Sequence, residues 1–448
     1  MSFGKKLTSE KFYALYISTL MILIPLGEFI SEFFDVQFYA QQVIVAVYGA
    51  VGIVSVMFFF FEKSKAPQFY PSDISYVSLL LFAVISLIFT QNILSGTGGG
   101  GEWLIHFAAY FSLMFAGTMI KSAELRKKVI CVFVAAAIFN CLVAFPQSFG
   151  LRIMDCTTAP EYHTIMNAVF GLTHNCNYFA GLCTLFIGLS SGLFIFSEKT
   201  SAKWLSLALY ALCFYCAIAT TTRIAWLGSL GVLFFYAVSF IVMKAKKYDV
   251  GKLKSHWARL GIITAVSAAI FIYFAIFTDA MYFSLIETAT DITMSESENV
   301  SFEEFGSKRG YIWKYAFKAL PKHWLTGVGL DNFYYVFTSN PEWDHTHSAP
   351  RAHNEYIQTL VTQGVFAAVN YIAMLVYACV TGVRTVISTK DNEKRIITWI
   401  LLGMFAGYAV QALVNSSVVN VAPYFWITVG MTMPKSEQKV IRLKNRKT

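Results

Sequence analysis

An arginine, a histidine and an amide stand close together where a long polar stretch of the chain meets an apolar one. They are Arg351, His353 and Asn354, and Gly364 follows them within the apolar stretch. A histidine in such a place can accept a proton near neutral pH. An arginine can hold a phosphate through charge-assisted hydrogen bonds. The segment therefore predicts proton transfer or phosphate binding at the beginning of a helix.

The elements around this segment are predicted to be membrane helices. The chain has 448 residues, of which 56% are hydrophobic and 14% charged, whereas soluble proteins carry about 25% charged residues. Apolar windows of roughly 17–25 residues predict an all-α integral membrane protein with about twelve transmembrane helices. The windows are 12–27, 38–61, 74–90, 103–120, 129–149, 177–196, 203–221, 224–243, 260–277, 355–380, 396–417 and the short 421–434.

Loop charges predict the orientation of these helices. If both termini are cytoplasmic and the helices alternate, all but eight of the 35 Lys and Arg residues lie on the cytoplasmic side. This is the asymmetry of the positive-inside rule. The net charge of +9 then reflects topology and contact with anionic lipid, so a nucleic-acid partner is not expected.

The predicted helices divide the chain into four parts. Residues 1–277 hold helices one to nine, 278–354 form one large extracytoplasmic loop, 355–434 hold helices ten to twelve, and 435–448 form a basic cytoplasmic tail. A loop this long in a compact protein is usually functional or disordered, and its tyrosines and tryptophans argue against disorder. We expect short helices within it and a Gly-rich turn near residues 326–330.

The cations predicted on the outer side deserve separate consideration because the positive-inside rule disfavours them there. They are Arg152, Arg223, Lys308, Arg309, Lys314, Lys318, Lys322 and Arg351. Arg223 lies in a tight hairpin between two apolar spans, where an unpaired arginine costs several kcal/mol. It can be an interfacial anchor or a ligand for an anionic headgroup. Arg309 raises the same alternatives.

Other candidate groups have simpler interpretations. His353 can be a capping or interface histidine, Asn354 can cap the following helix, and Gly364 can serve helix packing. The run 344–347 has His and Asp at metal-like spacing, but a hydrophilic loop is favoured and no metal site is predicted. Cys156 and Cys176 share a predicted outer loop, and whether they form a disulfide stays open.

Three motifs in this order resemble the O-antigen ligase and O-antigen polymerase superfamily of bacterial inner-membrane glycosyltransferases. The resemblance covers roughly residues 205–430, while the first half is similar only in hydropathy. The motifs are Thr222-Arg-Ile-Ala-Trp-Leu227; Lys308-Arg-Gly-Tyr-Ile-Trp313 with Pro321, Trp324 and Gly327-Val-Gly329; and His353-Asn354 with Gly364.

The resemblance implies an enzyme that moves a glycan from undecaprenyl pyrophosphate to a sugar hydroxyl of lipid A core or of a second lipid-linked glycan. It also implies a GT-C-like fold in the bacterial cytoplasmic membrane, with the active site facing the exterior. Arg223 and Arg309 would bind the pyrophosphate, with Arg351 as a further contact. His353 would be the base and Asn354 would orient the site. No metal or cofactor is implied, because the arginines would stabilise the pyrophosphate.

Two other classes stay open. A flippase or transporter of lipid-linked glycans would be expected to show internal repeats or ionisable groups at mid-membrane. A related enzyme that polymerises peptidoglycan would depend on an acidic residue of the large loop, for which Glu303, Glu304 and Asp331 are the candidates. Ligase and polymerase share the same donor, so the sequence does not separate them.

Overall fold

The structure is a computed structural model that describes residues 3–7, 9–33, 39–61, 68–90, 92–96, 102–151, 169–173, 175–246, 250–294, 302–343, 345 and 347–441. Apart from an isolated β-bridge between Phe69 and Ile441, the regular structure of these residues is helical. The helices are α1 (Phe3–Leu7), α2 (Glu10–Phe33), α3 (Tyr39–Phe61), α4 (Pro71–Ile88), α5 (Leu104–Met119), α6 (Ala123–Gln147), α7 (Cys176–Phe196), α8 (Thr200–Ala219), α9 (Arg223–Ala245), α10 (Val250–Phe277), α11 (Asp279–Met294), α12 (Phe305–His323), α13 (Tyr335–Thr338), α14 (Glu355–Gln363), α15 (Val365–Ser388), α16 (Asn392–Gln411) and α17 (Ala422–Thr432).

Nine helices of the described ranges are long and apolar enough to cross a membrane, namely α2, α3, α4, α6, α7, α8, α9, α10 and α15. Helix α5 is a shorter apolar helix, and α17 has only 11 residues. Each of the twelve predicted windows contains helix. The prediction of an all-α integral membrane protein is confirmed.

Helix α7 lies at the centre of the bundle. In its apolar window 94% of the residues are buried, and it packs against α8, α9 and α16. Small residues permit this close packing, because a Cβ atom on Gly188 would lie 2.6 Å from the backbone of Met404. Helices α5 and α17 meet in the same way, with Gly430 against the carbonyl of Met114. Backbones that approach this closely are typical of membrane helix interfaces.

The tenth predicted window, 355–380, is not one helix. It is divided at Gly364, which has a φ of 87° and separates α14 from α15. A Cβ atom at Gly364 would lie 2.1 Å from the carbonyl oxygen of Leu325. The prediction that Gly364 serves helix packing was therefore wrong: only glycine combines this φ with so close a backbone contact.

The break at Gly364 packs against a Gly-rich turn at residues 324–330. The backbone N–H groups of Val328 and Gly329 donate to the carbonyls of Val361 and Thr362 at 2.9 and 3.0 Å. These are carbonyls of the last turn of α14, which have no partner within the helix. The turn thus fixes the position of α14, and with it the residues at the beginning of that helix.

The segment ahead of α14 has a hydrophobic cluster of its own. Buried side chains of α12, α13 and the adjoining loops form it together with Val361 of α14, and its members include Tyr311, Tyr315, Phe333, Phe337 and Ala352. The expected helix-like stretch and Gly-rich turn are both present as α12 and residues 324–330. Because Ala352 belongs to this cluster, the residue before His353 is held by the packing of the preceding segment.

Candidate active site

Arg309 begins the regular part of α12. Gly306, Ser307 and Lys308 have φ values of 65°, 56° and 68°, so the chain makes a left-handed turn immediately before the arginine. The guanidinium donates from Nη1 to the carbonyl of Gly306 at 2.8 Å. Its buried Nε has no hydrogen-bond partner among the described residues. A buried donor without an acceptor is costly, and a bound anion would satisfy it.

Arg223 is the first residue of α9, and it is already paired with two carboxylates of α11. Its Nη2 lies 2.8 Å from Glu287, and its Nη1 contacts Asp291. Asp291 also accepts a hydrogen bond from the backbone N–H of Gly306 at 3.3 Å. Asp291 therefore links the hairpin that carries Arg223 to the turn that precedes Arg309.

The charge of Arg223 also acts on the guanidinium of Arg309. Burial lowers the pKa of Arg309, and the charge of Arg223 lowers it further, while Asp291 opposes the change. Glu287 and Asp291 neutralise Arg223, so a ligand that engages both arginines must carry more than one negative charge and displace these carboxylates. A pyrophosphate is such a ligand.

His353 lies in the loop before α14 with a φ of 48°, an uncommon value for a residue with a side chain. Burial lowers the pKa of its imidazole to about 4, and the charges of Arg309 and Arg351 add to this effect. The ring is therefore neutral at physiological pH, and it is a weak base until a negative ligand raises its pKa. Its neighbour Ala352 is fixed on both sides, because its N–H donates to Gln358 at 2.7 Å and its carbonyl accepts from Trp313 at 2.9 Å.

Asn354 caps α14. Its Oδ1 accepts hydrogen bonds from the N–H groups of Tyr356 and Ile357, both at 3.0 Å. Its Nδ2 donates to the carbonyl of Leu413 at 2.8 Å. These hydrogen bonds thus fix Asn354, the residue next to His353, at the beginning of the short helix α14.

Arg351 has different partners from the other two arginines. Its Nη2 is 3.5 Å from Asp331, and its Nη1 donates to the carbonyl of Ser417 at 3.3 Å. The side chains of Arg351 and Asp331 are only 12% and 8% exposed. Burial would lower the pKa of Arg351, but Asp331 and Glu102 raise it. Its charge is therefore balanced within the protein.

Glu102, just before α5, was not among the residues singled out from the sequence. It is 4% exposed, accepts a hydrogen bond from Tyr110 at 2.7 Å, and lines a small cavity together with Arg351 and Asp331. The signal that could have indicated it is a single carboxylate at the end of an apolar span, because such groups are rarely placed there without a role.

Some predicted groups fall outside the described residues. Arg152 and Cys156 are among them, so the possible disulfide between Cys156 and Cys176 is not tested. Of the run 344–347, only His345 and His347 are described, and His347 contacts Lys308. The described residues contain no group of three or more His, Cys, Asp or Glu that could hold a metal ion.

Comparison with known proteins identifies the segment that holds these groups. Residues 208–372 match the family model described as O-antigen ligase. The matched segment contains Arg223, Arg309, Arg351, His353 and Asn354. No curated protein matches the chain. Residues 208–372 of this multi-pass membrane protein therefore match the O-antigen ligase family, which supports a relationship to the O-antigen ligase and polymerase superfamily.

Proposed function

We propose that the protein transfers a glycan from undecaprenyl pyrophosphate to a sugar hydroxyl of an acceptor. The observation that carries this proposal is that Arg309 and His353 lie on segments joined by the hydrogen bond from Trp313 to Ala352, with the charge of Arg309 acting on His353. Arg309 has a buried donor without a partner among the described residues, and its charge acts on a neutral imidazole. One group can hold a pyrophosphate while the other accepts a proton beside it.

In this mechanism Arg309 is the principal pyrophosphate ligand. Charge-assisted hydrogen bonds from a guanidinium are strongest where water is excluded, and Arg309 is partly buried. Arg223 would join it by exchanging Glu287 and Asp291 for phosphate oxygens. Because both arginines become better neutralised as the leaving group gains charge, they stabilise the transition state more than the bound donor.

His353 acts as the general base. Its neutral ring takes the proton of the acceptor hydroxyl as that oxygen attacks the anomeric carbon of the donor sugar. The bond from that carbon to the pyrophosphate oxygen breaks, and undecaprenyl pyrophosphate leaves with the bonding electrons. By analogy with glycoside hydrolysis, the transition state resembles an oxocarbenium ion. A positioned base contributes about 10²–10⁴-fold to such a step.

We assign Arg351 a different role from the one expected of it. Its guanidinium is engaged with Asp331 and the carbonyl of Ser417, so it positions the loop instead of holding phosphate. The ion pair between Arg351 and Asp331 also argues against the mechanism of the peptidoglycan-polymerising class. Asp331 is an acidic candidate of that class, but it is buried against a cation. Of the other acidic candidates of that class, Glu303 is paired with Lys314.

The site is proposed to face the exterior of the bacterial cytoplasmic membrane. What supports this is the distribution of Lys and Arg, because the polar ends of the helices opposite to residues 278–354 carry most of these cations. The acceptor is lipid A core for a ligase, or a second lipid-linked glycan for a polymerase. A product ladder would indicate the polymerase, and a single transfer would indicate the ligase.

The decisive experiment uses purified protein and a lipid-linked glycan donor. His353→Ala and His353→Asn should bind the donor as the wild type does, yet transfer the glycan about 10²–10⁴-fold more slowly. Lys322→Ala, which removes an exposed cation of α12, is the matched control and should transfer normally. Normal transfer by His353→Ala would exclude the base assignment. Absence of transfer by the wild type with any lipid-linked donor would exclude the function.

A further inference from the structure

Glu102 belongs to the part of the chain that the family match does not cover, yet it reaches the loop that carries His353. Its backbone N–H donates to Oδ2 of Asp331 at 3.1 Å, and Oδ1 of Asp331 faces Arg351. Arg351 is two residues before His353. Asp331 thus connects the beginning of α5 to the candidate catalytic loop.

The two oxygen atoms of the Glu102 side chain differ in their hydrogen bonding. Its Oε2 accepts a hydrogen bond from Tyr110, whereas its buried Oε1 has no partner among the residues that the structure describes. Glu102 lines the small cavity that Arg351, Asp331, Glu355 and Gln358 also line. Glu102 and Arg351 are therefore neighbours around one cavity.

The loop itself needs such support because His353 has a left-handed backbone. A non-glycine residue at positive φ is sustained only where its surroundings fix it. Ala352 is tied to Gln358 and Trp313, and Asn354 is tied to Leu413. The side chain of Arg351 is a further anchor, because it pairs with Asp331 and donates to the carbonyl of Ser417, and Glu102 lines the cavity beside it.

We infer that Glu102 is a positioning residue, which sets the geometry of His353 through Arg351. This inference rests on the proposed function for its kinetic consequences, but not for its structural ones. It gives α5 and the first half of the chain a part in the reaction. It also explains why a carboxyl group is buried at the end of an apolar helix, where it would otherwise be costly.

The protonation state of Glu102 decides which variants are informative. Burial raises the pKa of Glu102 to about 8, against the lowering effect of Arg351. The titratable and charged groups that act on it are Tyr110 of α5, Asp331 and Arg351 of the loops, and Glu355 of α14, and its own charge acts on Tyr408 of α16. At neutral pH the group therefore carries its proton. Glu102→Gln imitates this form, whereas Glu102→Leu removes the polar group.

The first measurement does not depend on catalysis. Diethyl pyrocarbonate modifies accessible neutral histidines, and mass spectrometry gives the rate at His353 in the full-length protein. Glu102→Leu keeps the backbone hydrogen bond to Asp331 but removes the polar group beside Arg351, so it should raise this rate severalfold, while Glu102→Gln should stay near the wild type. Glu28→Leu, which removes another buried carboxyl group from α2, is the control and should leave the rate unchanged.

The second measurement is glycan transfer. Glu102→Leu should keep the donor Kd but lower kcat about tenfold or more, because small displacements of a catalytic group are costly. If Glu102 acts through Arg351, adding Glu102→Leu to Arg351→Met should lower kcat no further.

Two results would overturn the inference. The first is a Glu102→Leu variant with the His353 modification rate and kcat of the wild type. The second is a double variant in which the two losses simply add, which would mean that Glu102 acts independently of Arg351. If the wild type shows no transfer, the proposed function fails, but the modification rates still decide whether Glu102 positions His353 through Arg351.

Discussion

The charge of Arg309, at the beginning of α12, acts on the imidazole of His353, at the beginning of α14. The two residues come from separate motifs of the sequence. The hydrogen bond from Trp313 of α12 to the carbonyl of Ala352 joins the two segments directly. The candidate anion ligand and the candidate base therefore lie on two segments that are joined directly.

The first prediction concerns the pH dependence of transfer. Burial and the nearby arginines lower the pKa of His353 to about 4, so the base loses its function only as the pH falls through that region. The acid limb of kcat/KM, which reports the free enzyme, should lie well below the ordinary histidine value of about 6.5. The bound pyrophosphate is negative and should raise the pKa of His353, so the acid limb of kcat should lie higher than that of kcat/KM.

Arg309→Gln provides the control for this pH profile. It removes one of the charges that lower the pKa of His353, so the acid limb of kcat/KM should move to higher pH. Lys322→Ala should leave the limb where it is. An acid limb near 6.5 in the wild type, unchanged by Arg309→Gln, would show that His353 does not govern the profile.

A second prediction separates the geometry of Arg309 from its charge. Lysine keeps the charge but cannot form a bidentate contact with phosphate. Arg309→Lys should therefore weaken donor binding by about 1.5–3 kcal/mol, roughly 10–150-fold, as expected for a lost charge-assisted hydrogen bond. Isothermal titration with an undecaprenyl pyrophosphate donor measures this. Unchanged donor affinity in Arg309→Lys would remove Arg309 from the pyrophosphate site.

A third prediction concerns the carboxylates that occupy Arg223. If the donor must displace Glu287 and Asp291, weakening those pairs should tighten donor binding. The side chain of Glu287 is 63% exposed, so Glu287→Gln should increase donor affinity only slightly, consistent with about 0–1 kcal/mol for a surface ion pair. Asp291→Asn should have a larger effect, because this side chain is 14% exposed and also accepts from Gly306.

The same titration distinguishes the alternative in which Arg223 is a structural anchor. In that case both variants would leave the donor affinity unchanged or lower it, and Arg223→Ala would reduce thermal stability without a specific loss of donor binding. Glu393→Gln, which removes an exposed carboxylate paired with Lys127, is the matched control for a lost surface pair.

Local sequence patterns were sufficient to predict the helices and the cap of α14. Apolar windows of membrane-spanning length predict the helices, and an Asn ahead of an apolar helix predicts the cap. Both features depend only on residues that are close in sequence. The Asn354 side chain accepts from the two N–H groups expected of a cap. These features need no knowledge of which segments meet in space.

The partners of Arg351 could not be predicted in this way. Asp331 and Glu102 reach it from other parts of the chain, and only the packing of α5 against its neighbours brings Glu102 there. The division of the helix at Gly364 was missed for a related reason. An isolated glycine within an apolar stretch is compatible with an unbroken helix, and the break is fixed by the distant turn at residues 324–330.

The division at Gly364 leads to a last prediction, on stability. Gly364→Ala would combine a positive φ, which costs about 1–2 kcal/mol for an L-residue, with an overlap of its Cβ against the carbonyl of Leu325. Gly150→Ala is the matched control, because Gly150 has a φ of 76° but no atom within 4 Å of the added Cβ. Both variants should lower the apparent melting temperature in detergent, and Gly364→Ala should lower it distinctly more. Since the backbone at Gly364 also fixes α14, that variant should lose transfer activity at temperatures where it is still folded. Equal melting temperatures for the two variants would mean that the contact between Gly364 and Leu325 is readily relieved and does not determine the position of α14.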